Sequence, residues 1–492
     1  MKVLVGLSGG VDSAVAAYLL KEQGFDVTCC FMRNWDSFAN NDIKGNPEIF
    51  NNTCPQEDDY QDAKKVAEKL GLPLLRVDFI KEYWDQVFTV FLSEYGKGRT
   101  PNPDILCNKY IKFDAFYNYA LKNGFDLIAT GHYASNDYKE KSPQEVRLIF
   151  DQTITQTKAD SENKTETTGK PTEKEKSVYI SLRRAMDQNK DQTYFLAQIP
   201  QNALSRTLFP LGHLSKPEVR DLASRLSLDS VKIKKDSTGI CFIGERNFRE
   251  FLSNYLPAKK GQIVDIDTGE ILGEHDGVLY YTLGQRKGMN ITAHRGPWFV
   301  CGKDVESNLL YVCHTDHQDW LYSDSCVVDQ INWLIDDIQK VPTDLTVKFR
   351  YRQKDIPVQV TIDPDNPTKA MVHYPQLSSS VTAGQEAVFY NGEICLGGGI
   401  IETIYRDGQD LTKKINECGI QAYEKAKKQR EIRMEKTRKN QKNRARHKKQ
   451  LKDQKENRKQ KDQPDSGNLN KSANQKEQNP NSLPQQEEKS DE

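Results

Sequence analysis

The sequence predicts an α/β protein: a doubly wound parallel sheet at the N-terminus, a mixed central domain, a C-terminal β-barrel and a basic tail that is disordered or a solvated helix. Three observations carry that expectation. Through the first 135 residues, short apolar runs alternate with amphipathic stretches at the spacing of successive strand and helix units. From about 261 to 405, β-branched runs recur between Gly, Asp-Asn-Pro and Asn-Gly turns, which is the pattern of small barrels. After about Gly419 the chain turns to Lys, Gln and Asn and has little from which to build a core. A length of 492 residues accommodates two or three domains, and composition divides it into 1–205, 206–320, 321–405 and a tail, 406–492.

Taken in order, Lys2 to Leu7 is a continuous apolar run and reads as a buried strand. Asp12 to Gln23 follows as a helix stopped by Gly24, then Asp26 to Met32 as a second strand. Tyr60 to Leu70 sets Tyr60, Ala63, Val66, Ala67 and Leu70 on one helical face before Gly71. A strand at Leu74 to Asp78, a helix from the low eighties to Tyr95, a helix from about Asn108 to Lys122 and a strand at Leu127 to Thr130 extend the alternation. Ligands of such sheets bind outside the carboxyl ends of the strands. Arg147 to Phe150 and Val178 to Leu182 read as two strands of a hairpin lengthened by a solvated insertion, 151–176, almost devoid of large apolar side chains. Lys216 to Leu226 reads as a helix, and Ile263 to Asp265, Val300, Val347 to Arg350, Val358 to Ile362 and Ala387 to Phe389 as strands.

The 70 basic and 70 acidic side chains cancel, but they are segregated. Residues 421–461 hold 18 Lys or Arg against 5 Asp or Glu, a surplus of 13, whereas residues 462–492 hold 3 against 7. The remaining 420 residues are therefore acidic by 9, and the chain is an acidic body with a basic tail. Lys and Arg interleaved with Gln and Asn, without aromatics, suit contact with RNA phosphates or simple solvation, and a cut after Thr412 is expected to remove that function alone. No apolar run reaches the roughly 18 residues of a membrane span, and MKVLVGL does not read as a signal, so a soluble, cytoplasmic protein with no membrane partner is expected. Ten cysteines at irregular spacing, with no CxxC pair, point to free thiols in a reducing compartment.

The strongest local signal for chemistry is Ser8-Gly9-Gly10-Val11-Asp12-Ser13 between a strand and a helix. Two glycines let backbone amides approach an anion, Ser8 and Ser13 add hydroxyls, and the helix presents its positive end. A phosphate fits there. The lysine of a Walker loop is absent, which suits a site that grips the β and γ phosphates as one leaving pyrophosphate. Asp12 is placed to help hold Mg²⁺ on that pyrophosphate. Among the thiols, Cys107 falls where a helix is expected to begin, near Lys109, a setting that lowers a thiol pKa, and Cys241 lies in a loop too polar for a core strand, after Lys232, Lys234 and Lys235. Cys29, Cys30, Cys301, Cys326 and Cys395 sit in strand-like runs and read as buried. Cys313, His314 and His317 match no standard zinc spacing, so no metal site is assigned to them.

SGGVDS resembles the pyrophosphatase loop of the ATP-dependent adenylating (PP-loop) superfamily. Together with GRTPNPDILCNKYIKF (98–113), ATGHYA (129–134), NKDQTYFL (189–196), KKDSTGICFIGERNF (234–248), YTLGQRKG (281–288), RYRQKDIP (350–357) and CLGGGII (395–401), the chain closely resembles the bacterial-type tRNA-specific 2-thiouridylases over residues 1 to about 405. The resemblance implies ATP as co-substrate, tRNA and a sulfur-donor protein as partners, and adenylation of the wobble uridine C2 oxygen followed by sulfur transfer. It implies that Cys241 carries the persulfide, that Cys107 is the nucleophile and ends in a transient disulfide with Cys241, and that Asp104 is a candidate acid or base. By the same resemblance Gly6, Leu7, Ser8, Gly9, Gly10, Val11, Asp12, Ser13, Met32 and Gly131 bind ATP; Asn102, Pro103 and Asp104 meet the target base; His132, Lys190, Asp191, Gln192, Arg350, Tyr351 and Gln385 contact tRNA. The alternatives are another PP-loop adenylating enzyme, or a non-catalytic RNA-binding protein on this scaffold.

Overall fold

A computed structural model describes residues 1–44, 46, 55–151, 179–232, 234, 247–257, 259–291 and 296–461. It divides into two compact units, Met1–Lys427 and Lys428–Glu492.

The first unit opens on β1 (Lys2–Gly6), α1 (Val11–Glu22), β2 (Asp26–Arg33), α2 (Pro55–Leu70) and β3 (Leu74–Asp78). A helical stretch follows as α3 (Ile80–Tyr83), a wide π turn (Trp84–Phe88) and α4 (Thr89–Gly96). A second comprises α5 (Pro103–Cys107), a π segment (Asn108–Ala115) and α6 (Phe116–Lys122), leading into β4 (Leu127–Ala129). Residues 143–151 form α7. Next come β5 (Leu182–Arg183), α8 (Thr193–Leu196), α9 (Gln201–Leu204), β6 (Thr207–Leu208), α10 (Lys216–Arg225), α11 (Asp229–Lys232) and α12 (Phe248–Leu252).

Strands β3-β2-β1-β4-β6 form one wholly parallel sheet. Val3, Leu4 and Val5 are fully buried, which explains why the central strand is an unbroken apolar run rather than an alternating one. Strand order reverses at β1, so β1 and β4 flank the switch point where a crevice opens beyond their carboxyl ends.

The rest of this unit is β-rich. A mixed four-stranded sheet comprises β7 (Gly261–Asp265), β8 (Ile271–His275), β9 (Trp298–Asp304) and β10 (Leu309–His314). Strands β11 (Tyr322–Trp333), β12 (Asp344–Lys348), β13 (Ile356–Ile362), β14 (Ala370–Ser379), β15 (Glu386–Asn391) and β16 (Ile394–Arg406) follow. Pairing runs β11-β14-β13-β12-β15-β16 and returns from β16 to β11, closing a barrel without open edges. Strand β5 adds to β16 through Leu182↔Cys395 and Arg183↔Ile394, tying the parallel-sheet region to the barrel.

Three expectations are corrected. Arg147 to Phe150 is helical, because Ser142 and Glu145 form reciprocal bonds at the start of α7: Ser142 N donates to Glu145 Oε2 (2.8 Å) and Glu145 N to Ser142 Oγ (3.4 Å). The helix expected from Asn108 begins at Pro103, since the Asn102 side chain accepts from Asp104 N and Ile105 N and caps it there. The tail does not leave the body at 406. A last hairpin pairs β16 with β17 (Gln409–Asp410), and α13 (Leu411–Lys461) starts by burying Leu411 and Ile415. Ile420 and Tyr423 pack beside them on the cluster that contains Tyr311.

In the second unit α13 continues to Lys461 as the solvated-helix alternative, with its described side chains exposed and cations on every side rather than along one stripe. Residues 462–492 and most of the insertion at 151–176 lie outside the described residues.

Candidate active site

The turn from β1 into α1 builds the cradle. Ser13 Oγ accepts from Ser8 N (3.1 Å), lies 3.1 Å from Ser8 Oγ and donates to the Gly10 carbonyl (3.1 Å), so three points of the loop are pinned to one hydroxyl. No side chain caps α1 at Gly10, which leaves the amides of its first turn for an external anion. Gly9 has φ +74°, and a Cβ there would lie 2.2 Å from the Asp59 carbonyl oxygen, so the loop approaches α2 in a way only glycine permits. A Cβ on Gly131 would stand 2.7 Å from Ser13 N and 2.8 Å from Asp12 C; the β4 end is thus pressed on the start of α1. Met32 Cε comes within 3.0 Å of the position a Gly6 Cβ would take, while Leu7 and Val11 are buried beneath the loop. Gly6, the 8–13 loop, Met32 and Gly131 therefore meet in one crevice.

Two lysines that the sequence reading did not assign to this loop flank it. Lys216, at the start of α10, places Nζ 2.8 and 2.9 Å from the two carboxylate oxygens of Asp12, whose Oδ1 also accepts from Tyr133 OH (2.8 Å). Both Asp12 oxygens are thus engaged by the Lys216 ammonium in this structure. Lys234 donates to the Gly9 carbonyl (3.3 Å) and pairs with Asp59 (2.9 Å) and Asp62 (2.7 Å). Burial opposes the Lys234 charge but the two carboxylates outweigh it, and the net effect is a raised pKa. In sequence these partners are separated by up to 225 positions, and no local pattern signals them.

Cys107 is buried in the second turn of its helix, not at the first, because the Asn102 cap starts the helix early. Lys109 Nζ donates to Gln198 Oε1 (3.1 Å). Asn108 Nδ2 donates to the Phe195 carbonyl (2.8 Å), anchoring this helix to α8. Cys241 and its loop lie outside the described residues. Burial pushes the thiols of Cys29, Cys30 and Cys395 up to about 12, which makes them core groups rather than nucleophiles. Cys301 and Cys326 are raised for the same reason.

The chain matches three domain models in succession: the tRNA methyl transferase HUP domain over residues 1–245, the tRNA methyl transferase PRC-barrel domain over 249–314, and the aminomethyltransferase beta-barrel domain over 323–401. It is 51% identical over 411 residues to the tRNA-specific 2-thiouridylase MnmA of Mycoplasma capricolum subsp. capricolum, covering 82% of this chain and 99% of the relative. The chain belongs to the tRNA-specific 2-thiouridylase family. The enzyme of that name from Enterococcus faecalis is 46% identical over 413 residues, covering 83% of this chain and 97% of the relative.

The positions that 2-thiouridylase family resemblance marks for tRNA lie in segments that bind one another. Gln192 clasps the 131–133 loop twice: its Oε1 accepts from Tyr133 N (2.9 Å) and its N–H donates to the Tyr133 carbonyl (2.8 Å). Asp191 is buried and accepts from Ala185 N, Thr193 N and Thr193 Oγ1, and burial raises its pKa despite those bonds. His132 lies with Nδ1 2.8 Å from Thr130 Oγ1 and Nε2 3.4 Å from Lys112 Nζ. Burial first and the Lys112 charge second lower its pKa well below the ordinary value, so the ring is a neutral imidazole. Tyr351 packs against Phe195 with ring centroids 4.4 Å apart and planes tilted by 46°, and Lys190 sits partly exposed on the same 189–196 segment. Arg350 Nη2 donates to the Leu283 and Ser380 carbonyls (3.0 and 2.8 Å). Gln385 donates to the Thr100 carbonyl (2.6 Å) two residues before Asn102. In a 2-thiouridylase this places barrel residues directly against the approach to the Asn102–Asp104 turn.

Among the described residues, no helix is long and apolar enough to cross a membrane, and no cluster of His, Cys, Asp or Glu forms a metal cage.

Proposed function

We propose that the chain catalyses ATP-dependent 2-thiolation of the wobble uridine in tRNA anticodons. The observation that carries this reading is the crevice in which the Ser8–Ser13 loop, Met32 and Gly131 converge without a Walker lysine, in a chain of this family. ATP lies with its β and γ phosphates on the amides of the loop and the N-terminus of α1. The uridine C2 oxygen attacks the α phosphate, the bond to the β phosphate breaks, and pyrophosphate leaves. The C2 position then carries AMP as a leaving group.

A sulfur-donor protein loads Cys241 as a persulfide. Its outer sulfur attacks C2 and displaces AMP; the Cys107 thiolate attacks the Cys241 sulfur, the bond to the transferred sulfur breaks, and a Cys107–Cys241 disulfide remains. The electron pair of the broken S–S bond stays on the sulfur now bound to C2, so the disulfide must be reduced before the next turnover. Asn102, Pro103 and Asp104 meet the target base, with Asp104 the candidate acid or base. His132, Lys190, Asp191, Gln192, Arg350, Tyr351 and Gln385 make the tRNA-facing surface, and the basic Lys428–Lys461 helix adds contacts to RNA phosphates.

Incubating Cys241→Ser with tRNA and ATP tests the assignment. AMP-activated tRNA and released pyrophosphate are expected at near wild-type amounts, with no 2-thiouridine by nucleoside mass spectrometry. Thiolated product from that variant would sink the assignment of Cys241.

A further inference from the structure

We propose that Lys216 is the phosphate-binding cation that this loop lacks in its own sequence. Its ammonium, delivered by α10, binds the β and γ phosphates of ATP and the pyrophosphate that leaves. The inference rests on reading the Ser8–Ser13 loop as the ATP site. No lysine stands between β1 and α1, and departing phosphates gather negative charge that amides and hydroxyls answer only with partial charges.

The structure delivers Lys216 to the mouth of the cradle and holds it there. Ser215 and Glu218 form a reciprocal capping box around it, Pro217 fixes the next residue, and Lys216 N donates to Asp187 Oδ2 (3.0 Å). Only 8% of the residue is exposed, so its stem is committed and its ammonium emerges at one place, against Asp12 and 5.8 Å from the Tyr133 ring centroid. Asp12 is the second residue of the helix whose N-terminus faces the anion, and it stands between the two serines of the loop. Lys234, the other lysine at the loop, is divided between Asp59 and Asp62, whereas Lys216 meets Asp12, a residue of the loop itself.

Asp12 then acts as the resting counter-charge. When the triphosphate enters, the ammonium exchanges carboxylate oxygens for phosphate oxygens, and no proton moves and no covalent bond changes. A structural ion pair tying α10 to α1 makes a different prediction, because its loss would weaken every ligand of the crevice alike.

The test is calorimetric titration of the full-length wild type, Lys216→Met and Lys216→Arg with inorganic pyrophosphate, ATP and AMP in Mg²⁺ buffer. Removing one charge-assisted hydrogen bond from a phosphate corresponds to about tenfold to hundredfold in affinity. Lys216→Met is expected to weaken pyrophosphate and ATP by about tenfold or more while AMP stays within about twofold, and Lys216→Arg to recover part of the loss. Pyrophosphate affinity unchanged in Lys216→Met overturns the inference. So does an equal loss for all three ligands that arginine does not restore. A wild-type chain that binds neither pyrophosphate nor ATP refutes the ATP-site reading itself, whereas intact wild-type binding with an unaffected methionine variant removes only Lys216.

Discussion

Cutting the chain at two points separates the part of α13 that holds the body together from the part available to RNA. Removal of everything after Lys427 takes away only the second unit, whose described side chains are exposed. Removal after Thr412 also takes Ile415, which is 3% exposed, and the partly buried Ile420 and Tyr423 on the cluster around Tyr311. Full burial of an Ile is worth about 1.5–3 kcal/mol, and the two half-buried side chains add about 1 kcal/mol each, so the shorter chain loses on the order of 3–5 kcal/mol as an upper estimate. At about 1–2 °C per kcal/mol for a unit of this size, the first melting transition should fall by on the order of 5 °C by scanning calorimetry.

The chain ending at Lys427 should melt with the full-length protein. Its affinity for tRNA, measured by filter binding across a salt series, should lose about 2 or more from the slope of log affinity against log salt, the worth of about three phosphate contacts. Catalysis at saturating tRNA should be unchanged. Equal melting of the two truncated chains would refute the packing argument, and an unchanged slope would refute the role of the helix in RNA binding. A cut after Thr412, the natural choice from composition, would confuse the two effects.

The remaining expectations follow from single positions. Gly131→Ala must displace backbone at Ser13 and Asp12, so ATP use should fall by about tenfold to a hundredfold with folding retained. Gly124→Ala is its control, because a Cβ there meets nothing within 4 Å; its own positive φ (+75°) should cost about 1 kcal/mol of stability and leave ATP kinetics alone. Glu386, on β15, is buried, and that burial raises its pKa to about 7 despite the Lys109 charge and a bond from Gln198. A carboxyl whose folded pKa lies above its unfolded value contributes stability that is present below the unfolded pKa and lost as pH rises toward 7. Glu386→Gln should therefore gain up to about 3 kcal/mol relative to wild type between pH 4.5 and 7 and level off above, read by urea unfolding at several pH values; a gap that does not grow with pH would refute it.

Much of the parallel-sheet region was legible because its signals are local. Continuous apolar runs gave β1 and β2, and Gly24 and Gly71 marked where the first helices stop. The helix carrying Cys107 was misplaced by five residues because Asn102-Pro103 is a cap and first-turn pair, which reads equally as a loop until a helix is seen to follow it. Arg147 to Phe150 was read as a strand from a short apolar run, a length at which strand and helix patterns are indistinguishable. The loop itself was found, but the lysines beside it were not, since Lys216 and Lys234 reach it from elements hundreds of residues away.

The sequence by itself determined the order of the elements, the glycine-rich turn and the two candidate cysteines, because backbone conformation and hydrophobic period are written within a few residues. Tertiary structure alone decided that Asp12 faces a lysine, that Gly131 is a packing requirement, that Gln385 holds the turn before Asn102, and that the first turns of the tail belong to the body. Each of these depends on which distant segments share a boundary, and contact between them is set by how sheets and helices pack, not by any residue's neighbours in the chain.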